Sequence, residues 1–547
     1  MPFRRSLAMA ATFAVATYGL ALPTANAQAP QRPVAVVSIA PLDQLLQDTS
    51  YLLKVSNVPE VGGLVTIMAN QYTQGLDRSR PIGVAITMQG QMPSALVFLP
   101  LSSREQFFAA LSGLGIEPDD LGNGLFEIDA NGQTLFAKDS QGWMFIAQTE
   151  EALGELPADP AQLLGSLPKQ YDIAVNLDVQ ALPADLKDMA IKQMRIGLER
   201  GMAEQRDLSA EDKARAKELS EANIQQLERM IQETEKAIVG LQIDSKQQNV
   251  SLDFAGQFIS GSKLANQVAA LQDLTSSFTK LAFPNAAALF RVTSIIPEED
   301  KAAQIMNLRN SILQLEQQIP EQDRAVAKDI LQGLTKVIEQ TIQEGTFDGA
   351  ASVSLEDDTF HALAGGLVAD GRALEAELKK IAAAVKDEKD APQFRFGYDT
   401  YQGMSLHSVQ FPIKSNDPSV QKAFGDTLLV NVATADKSYL ISIDPSGDAA
   451  LKQAIDRLAT AEATKVSPLD AFVEIGQVLQ FAQALSPNPI VDNALKTIQQ
   501  YAGKDKIRVA ARLIERGGIY RLTVEEGVLR AGGAAAKSAN SNGGGGF

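Results

Sequence analysis

The 547-residue chain has no cysteine, two histidines (His361 and His407) and a single tryptophan, Trp143. Without cysteine there can be no disulfide and no thiolate ligand, so a secreted form must rely on its core. Two histidines, both in strand-like stretches, leave no spacing for a tetrahedral zinc site. Beyond the N-terminal region no run of about 18 apolar residues occurs, so no membrane span is expected. Cationic patches are also scarce. The net charge is −17, which argues against nucleic acid and against unaided binding to anionic lipid, because both need clustered Lys and Arg.

The N-terminus reads as an export signal. Arg4 and Arg5 precede an apolar stretch from Leu7 to Leu22, and Ala25-Asn26-Ala27 fits a small-residue cleavage site. Residues 1–27 are therefore expected to be a signal peptide, and the mature protein to be periplasmic or extracellular. No cysteine follows to carry a lipid.

With 45% hydrophobic residues, the remaining chain can bury two sizeable cores. Strand and helix patterns run through it twice in the same order. The first pass has strand 34–39 with helices, hairpins at 82–99 and 125–147, strand 171–178 and a hairpin at 241–259. The second has strand 287–295 with helices, hairpins at 347–368, 394–411 and 427–443, strand 471–476 and a hairpin at 506–524. Val36-Val37-Ser38-Ile39-Ala40-Pro41 corresponds to Val292-Thr293-Ser294-Ile295-Ile296-Pro297. Asn131-Gly132 is the strongest hairpin turn, since a type I′ turn needs positive φ twice. Ser102 and Glu105 fit a capping box opening a helix. Tight hairpins alternating with helices predict an α+β fold, antiparallel sheet covered by helices. The expected halves are 28–280 and 281–533.

Two long helical inserts are expected, at 185–239 and 298–343. Ile224, Leu227, Ile231, Thr234 and Ile238 recur at steps of three and four, as do Ile305, Leu308, Ile312, Leu315 and Ile319 before Pro320. The simpler expectation is that each seam closes an antiparallel helical hairpin on itself; the alternative is that the seams meet a partner, another copy or a hydrophobic ligand. Residues 534–547, small and glycine-rich, are expected to be a disordered tail. Phe547 ends the chain without the alternation an outer-membrane strand needs.

Candidate chemistry is sparse. Ser260-Gly261-Ser262-Lys263 and Ser277-Phe278-Thr279-Lys280 match S-x-x-K, in which a lysine one turn away activates a serine, but no K-T-G partner follows. Ser260 and Ser262 read more simply as helix caps. Asp119-Asp120, Glu298-Glu299-Asp300 and Glu356-Asp357-Asp358 are local acidic clusters. Glu298 to Asp300 suit the first turn of a helix, where the dipole favours acid. Asp129-Ala130-Asn131-Gly132 opens like a calcium loop but lacks the later ligands. Trp143 begins an apolar strand and reads as core. No catalytic, cofactor-binding or metal-binding residue is assigned, and no cofactor is expected.

Arg80-Pro81-Ile82-Gly83-Val84, Leu96-Val97-Phe98-Leu99-Pro100, Gly142-Trp143-Met144-Phe145-Ile146-Ala147 and Leu167-Pro168-Lys169-Gln170-Tyr171-Asp172 resemble a group of large exported bacterial proteins of unknown function. The resemblance covers mainly residues 34–200. It implies an exported, duplicated α+β protein and transfers no functional residue.

The expectation is an exported, non-enzymatic binding or structural protein whose partner is another protein, the cell wall or a hydrophobic ligand. The first alternative is a carrier or chaperone for hydrophobic ligands, with an apolar pocket of several hundred Å3. The second is a hydrolase using Ser260 with Lys263, or a carboxylate pair, in a cleft with perturbed acids.

Overall fold

Alternating apolar and polar residues bounded by turns generate twenty strands that join into one antiparallel sheet. A computed structural model describes residues 32–542 apart from 91, 131, 205–209, 320–323, 357, 387–390 and 416. The expected signal (1–27), Asn131, Pro320, Asp357 and Phe547 lie outside the described residues.

The first arm comprises β1 (Ala35–Ile39), β2 (Ile82–Gln89), β3 (Met92–Pro100), β4 (Pro118–Gly122), β5 (Leu125–Ala130), β6 (Gln133–Ser140), β7 (Trp143–Ala147), β8 (Ile173–Asp178), β9 (Thr234–Asp244) and β10 (Asn249–Phe258). The second comprises β11 (Ala288–Ile295), β12 (Thr346–Glu356), β13 (Thr359–Leu367), β14 (Gln393–Tyr401), β15 (Met404–Pro412), β16 (Thr427–Thr434), β17 (Ser438–Ile443), β18 (Leu469–Glu474), β19 (Lys506–Ile514) and β20 (Gly517–Glu525).

From the central β10–β20 pair, one arm runs outward as β9, β8, β1, β2, β3, β7, β6, β5, β4. The other runs outward as β19, β18, β11, β12, β13, β17, β16, β15, β14. The second order is the first with ten added to every strand.

Among the described residues thirteen helices of eight residues or more fill the gaps and the chain end: α1 (Leu42–Val55), α2 (Pro59–Tyr72), α3 (Arg104–Ser112), α4 (Ala184–Glu204), α5 (Ala210–Glu233), α6 (Lys263–Ala270), α7 (Glu298–Gln318), α8 (Arg324–Glu344), α9 (Gly371–Val385), α10 (Ala449–Ala459), α11 (Ile475–Leu485), α12 (Pro489–Ile498) and α13 (Glu526–Asn542). Shorter helical turns link some strands. No helix among the described residues is long and apolar enough to cross a membrane.

The α+β expectation agrees with this architecture, with local corrections. The hairpin expected at 125–147 is a three-stranded meander, β5–β6–β7. Helix ends at Glu233, so Thr234 and Ile238 belong to β9, where the ladders to β8 and β10 outweigh the helical period. The helix cap is Ser103, one residue later than expected: its Oγ accepts from the Gln106 N–H at 3.3 Å and donates to Glu105 at 3.1 Å. The segment expected as a disordered tail continues α13 as far as Asn542. Its alanines favour helix, and Val528, Ala531 and Ala535 pack on Ala494 and Ile498 of α12.

In the outer parts of both arms the sheet is covered on two sides. In the first arm Phe107 of α3 packs with Met144 and Leu99 on one face, and Phe98, Trp143 and Phe145 form the core on the other. In the second, α10 brings Leu451 and Ile455 onto Leu363, Leu406 and Leu440.

Candidate functional site

Between the two covered arms lie eight central strands, and here the usual pattern is inverted. The face continuous with the α3 side is apolar and open; the opposite face is polar. Cross-strand register sets this out in rows. One row reads Ile39, Ile173, Leu241, Leu252, Leu522, Val509, Ala471 and Phe290. A second reads Val37, Val175, Val239, Phe254, Tyr520, Ala511, Leu469 and Val292, and a third runs Ile243, Val250, Val524, Ile507, Val473 and Ala288. The Tyr520 hydroxyl is the single polar side-chain group in these rows. Eight strands at about 4.8 Å spacing make a floor about 34 Å wide.

The floor is not covered. Phe254 is 50% exposed, Tyr520 57% and Phe290 49%, and Val175, Val239 and Val473 are exposed beside them. A Cβ added to Gly256, on the same face, would meet nothing within 4 Å. Leaving each of the three aromatic side chains half exposed forgoes about 1 kcal/mol of burial. A shallow groove of about 330 Å3 runs over Phe290, Ala351, Val353, Val473, Ile507 and Val509. Contiguous apolar exposure on the scale of these cross-strand rows marks an interaction surface. Exposed apolar side chains also occur on the helical hairpins: Leu64 and Ile67 on α2, Leu227 and Met230 on α5, Ile338 on α8 and Val478 on α11.

The opposite face holds a cavity of about 760 Å3 with polar walls. Tyr171, just before β8, lays its ring over Gly240, where an added Cβ would come within 2.4 Å of it. The Tyr171 hydroxyl donates to Asp253 at 2.9 Å. Burial and that bond push its pKa up to about 12, against the opposing pull of Arg521 and Arg512. Arg521 donates twice to Asp253, and Arg508 pairs with Asp470 at 2.8 Å. Lys506 lies 4.6 Å over the Phe472 ring and 3.7 Å from Glu474. Arg512 and Lys169 complete the cationic lining.

Carboxylates crowd the rim where α1 meets the strand ends. Asp172 is buried and accepts from the Ile243 N–H at 2.6 Å and from Gln44 at 3.2 Å. Asp48, buried against it, has its pKa raised to about 7 by burial and by the Asp172 and Asp244 charges. Nearby, Glu526 accepts from the Tyr51 hydroxyl at 2.8 Å and from Arg530 at 2.7 Å. Among the described residues no group of three or more His, Asp or Glu side chains could hold a metal ion.

The candidates read from sequence are scattered. Ser262 caps α6, accepting from the Ala265 N–H at 3.1 Å, and Lys263 opens that helix. Ser260 lies in the turn before it. Lys280 donates to the Thr460 carbonyl at 3.3 Å, while the Ser277 N–H donates to Asp348 at 3.0 Å. His407 is buried, accepts from the Gly397 N–H at 3.1 Å and sits 3.1 Å from Thr434 Oγ1; burial lowers its pKa. His361 Nδ1 lies 3.4 Å from Asp444. Asp120 and Asp129 accept from the Gly122 and Gly132 N–H groups in their turns. Asn285 donates to Glu356, and Asp358 pairs with Lys422 at 3.5 Å. Glu298 to Asp300 occupy the first turn of α7, with Asp300 also bound to Arg229 and Gln267. Trp143 is core, edge-on to Phe98 with Arg80 stacked 4.0 Å over it.

None of these side chains lines either central surface. The open apolar floor was missed because strand alternation shows two faces without showing which one is covered. Set against known protein families, curated proteins and solved structures, the chain matches none.

Proposed function

We propose that this chain is a non-catalytic binding protein for a hydrophobic ligand, and that the ligand lies on the open apolar floor of the central sheet. The observation that carries this reading is the unbroken set of apolar cross-strand rows with Phe254, Tyr520 and Phe290 half exposed. The favoured ligand class is the acyl chain. The strands of the floor are already paired on both sides, so a polypeptide laid on it gains no backbone hydrogen bonds, and its amides would find almost no partners. Hydrocarbon has no such groups to satisfy. The setting proposed is the periplasm or cell exterior, in keeping with the signal-like residues 1–27.

We also propose that the two arms are copies of one ancestral unit, near 28–280 and 281–533. The matched strand order supports this, as do Pro41 and Pro297, which stand at the N-caps of α1 and α7 after equivalent strands. The long inserts are not equivalent. The α4–α5 hairpin lies between β8 and β9, whereas α7–α8 lies between β11 and β12. Each matches a shorter hairpin in the other arm, α11–α12 and α1–α2 respectively. This supports separate enlargement after duplication.

The test of the ligand is extraction and mass spectrometry of protein purified from its native envelope, followed by titration with a fluorescent fatty acid. Bound lipid, with titration weakened at least tenfold in Phe254→Asp, is expected. A lipid-free protein whose fatty-acid binding is the same in Phe254→Asp sinks the reading.

A further inference from the structure

The polar cavity is a second site, on the face opposite the apolar floor. Three arginines share its β19–β20 wall. Arg521 stands opposite Ala510, while Arg508 and Arg512 lie two residues to either side on β19 and face the same way. Diagonal neighbours of this kind are about 7–8 Å apart, so the three guanidinium groups repel one another unless each has a counter-charge.

Two have one: Arg521 holds Asp253, and Arg508 holds Asp470. Among the described residues Arg512 has no ion pair or hydrogen bond from its side chain, and neither has Lys169, which reaches the same cavity from the short helix Leu167–Gln170 before β8. The neighbouring carboxylates are otherwise engaged. Asp244 accepts from the Lys246 and Gln247 N–H groups, and Glu525 from the Lys506 N–H. A chain of net charge −17 thus keeps two unpaired cations in one polar cavity.

We infer that the cavity binds a small ligand bearing an oxyanion, phosphoryl or carboxyl, with Arg512 gripping the anion and Lys169 closing over it from the other arm. The planar guanidinium fork matches such groups bidentately. The ligand's remaining polar groups face Gln242 and Asn249. Because the walls come from both arms, occupancy also ties the arms together.

The test is calorimetric titration of the mature protein with pyrophosphate and with citrate, alongside flotation with vesicles containing phosphatidylglycerol. Arg512→Gln and Lys169→Gln are the test variants; both side chains are exposed, so folding should survive and is checked by circular dichroism. Arg372→Gln, which removes an exposed pair with Asp436, is the control. Soluble anion binding that falls at least tenfold in both test variants but not in the control supports the site. Vesicle binding with the same variant dependence supports it too and identifies a headgroup as the source of the oxyanion. If neither probe binds, or if binding is equal in all four proteins, the inference fails. The apolar-floor reading stands or falls separately, since Phe254→Asp leaves this cavity untouched.

Discussion

Arg521 of β20 and Asp253 of β10 stand directly opposite each other at the centre of the sheet, joined by two hydrogen bonds of 2.7 Å. Asp253 is 1% exposed, and each residue is the fifth of its strand. The pair therefore joins the two arms and forms the floor of the polar cavity.

Removing only the cation strands a buried carboxylate with the Tyr171 hydroxyl as its remaining partner. Because Arg521 is 44% exposed and water can reach the vacated position, Arg521→Met should cost about 1–3 kcal/mol. The double variant Asp253→Leu/Arg521→Met should recover most of that loss. Urea denaturation of the wild type, Arg521→Met, Asp253→Leu and the double variant measures the coupling; a double variant as unstable as Arg521→Met would show that packing, not charge, is at stake.

Two glycines report which face is filled. Gly240→Ala drives a methyl into the Tyr171 ring and should destabilise by about 1–3 kcal/mol. Gly256→Ala points onto the open floor and should change stability by less than about 1 kcal/mol. Equal effects in thermal melts would contradict an open floor.

Phe254 gives the matching contrast with the core. Phe98→Ala empties a fully buried site and should cost about 3–5 kcal/mol. Phe254→Ser should stay within about 1 kcal/mol, because half of that side chain already meets water. Denaturant midpoints decide between them.

Asp48 should make the protein less stable as pH rises. Its native pKa, about 7, lies above the ordinary carboxyl value of 3.8, so the native state keeps a proton that the unfolded chain releases. Stability is fully present below about pH 4 and declines until about pH 7. A three-unit shift corresponds to about 4 kcal/mol at full strength; with screening at the rim, about 2 kcal/mol is expected. In Asp48→Asn the excess of the melting temperature at pH 5 over that at pH 8 should disappear; a variant still more stable at pH 5 than at pH 8 would place the effect elsewhere.

His407 acts in the opposite direction. Burial lowers its pKa, so the unfolded chain takes up the proton first and stability is lost as pH falls below the ordinary histidine range. In an Asp48→Asn background the melting temperature should drop between pH 7 and pH 5, and His407→Gln should flatten that drop.

Much of the strand framework was legible in the chain itself. The segments 35–39, 173–178 and 288–295 are strands because Val, Ile and Thr are frequent there, and the paired hairpins follow from short polar turns. The helix start at Ser103 was misplaced by one residue because two adjacent serines both offer an oxygen to the first turn. The 534–542 segment was misjudged because composition says nothing of the α12 surface that receives it.

The central site was not legible, for a related reason. Sequence determines that Phe254, Tyr520 and Val239 share one face of their strands, and that Asp253 and Arg521 share the other, because side chains alternate across a strand. It does not determine which face is covered. That depends on where α3, α9 and α10 land, far from the centre, and on the joining of β10 to β20 across the 258 residues between them. Alternation is local and follows from backbone geometry; cover is long-range, and only the tertiary structure decides it.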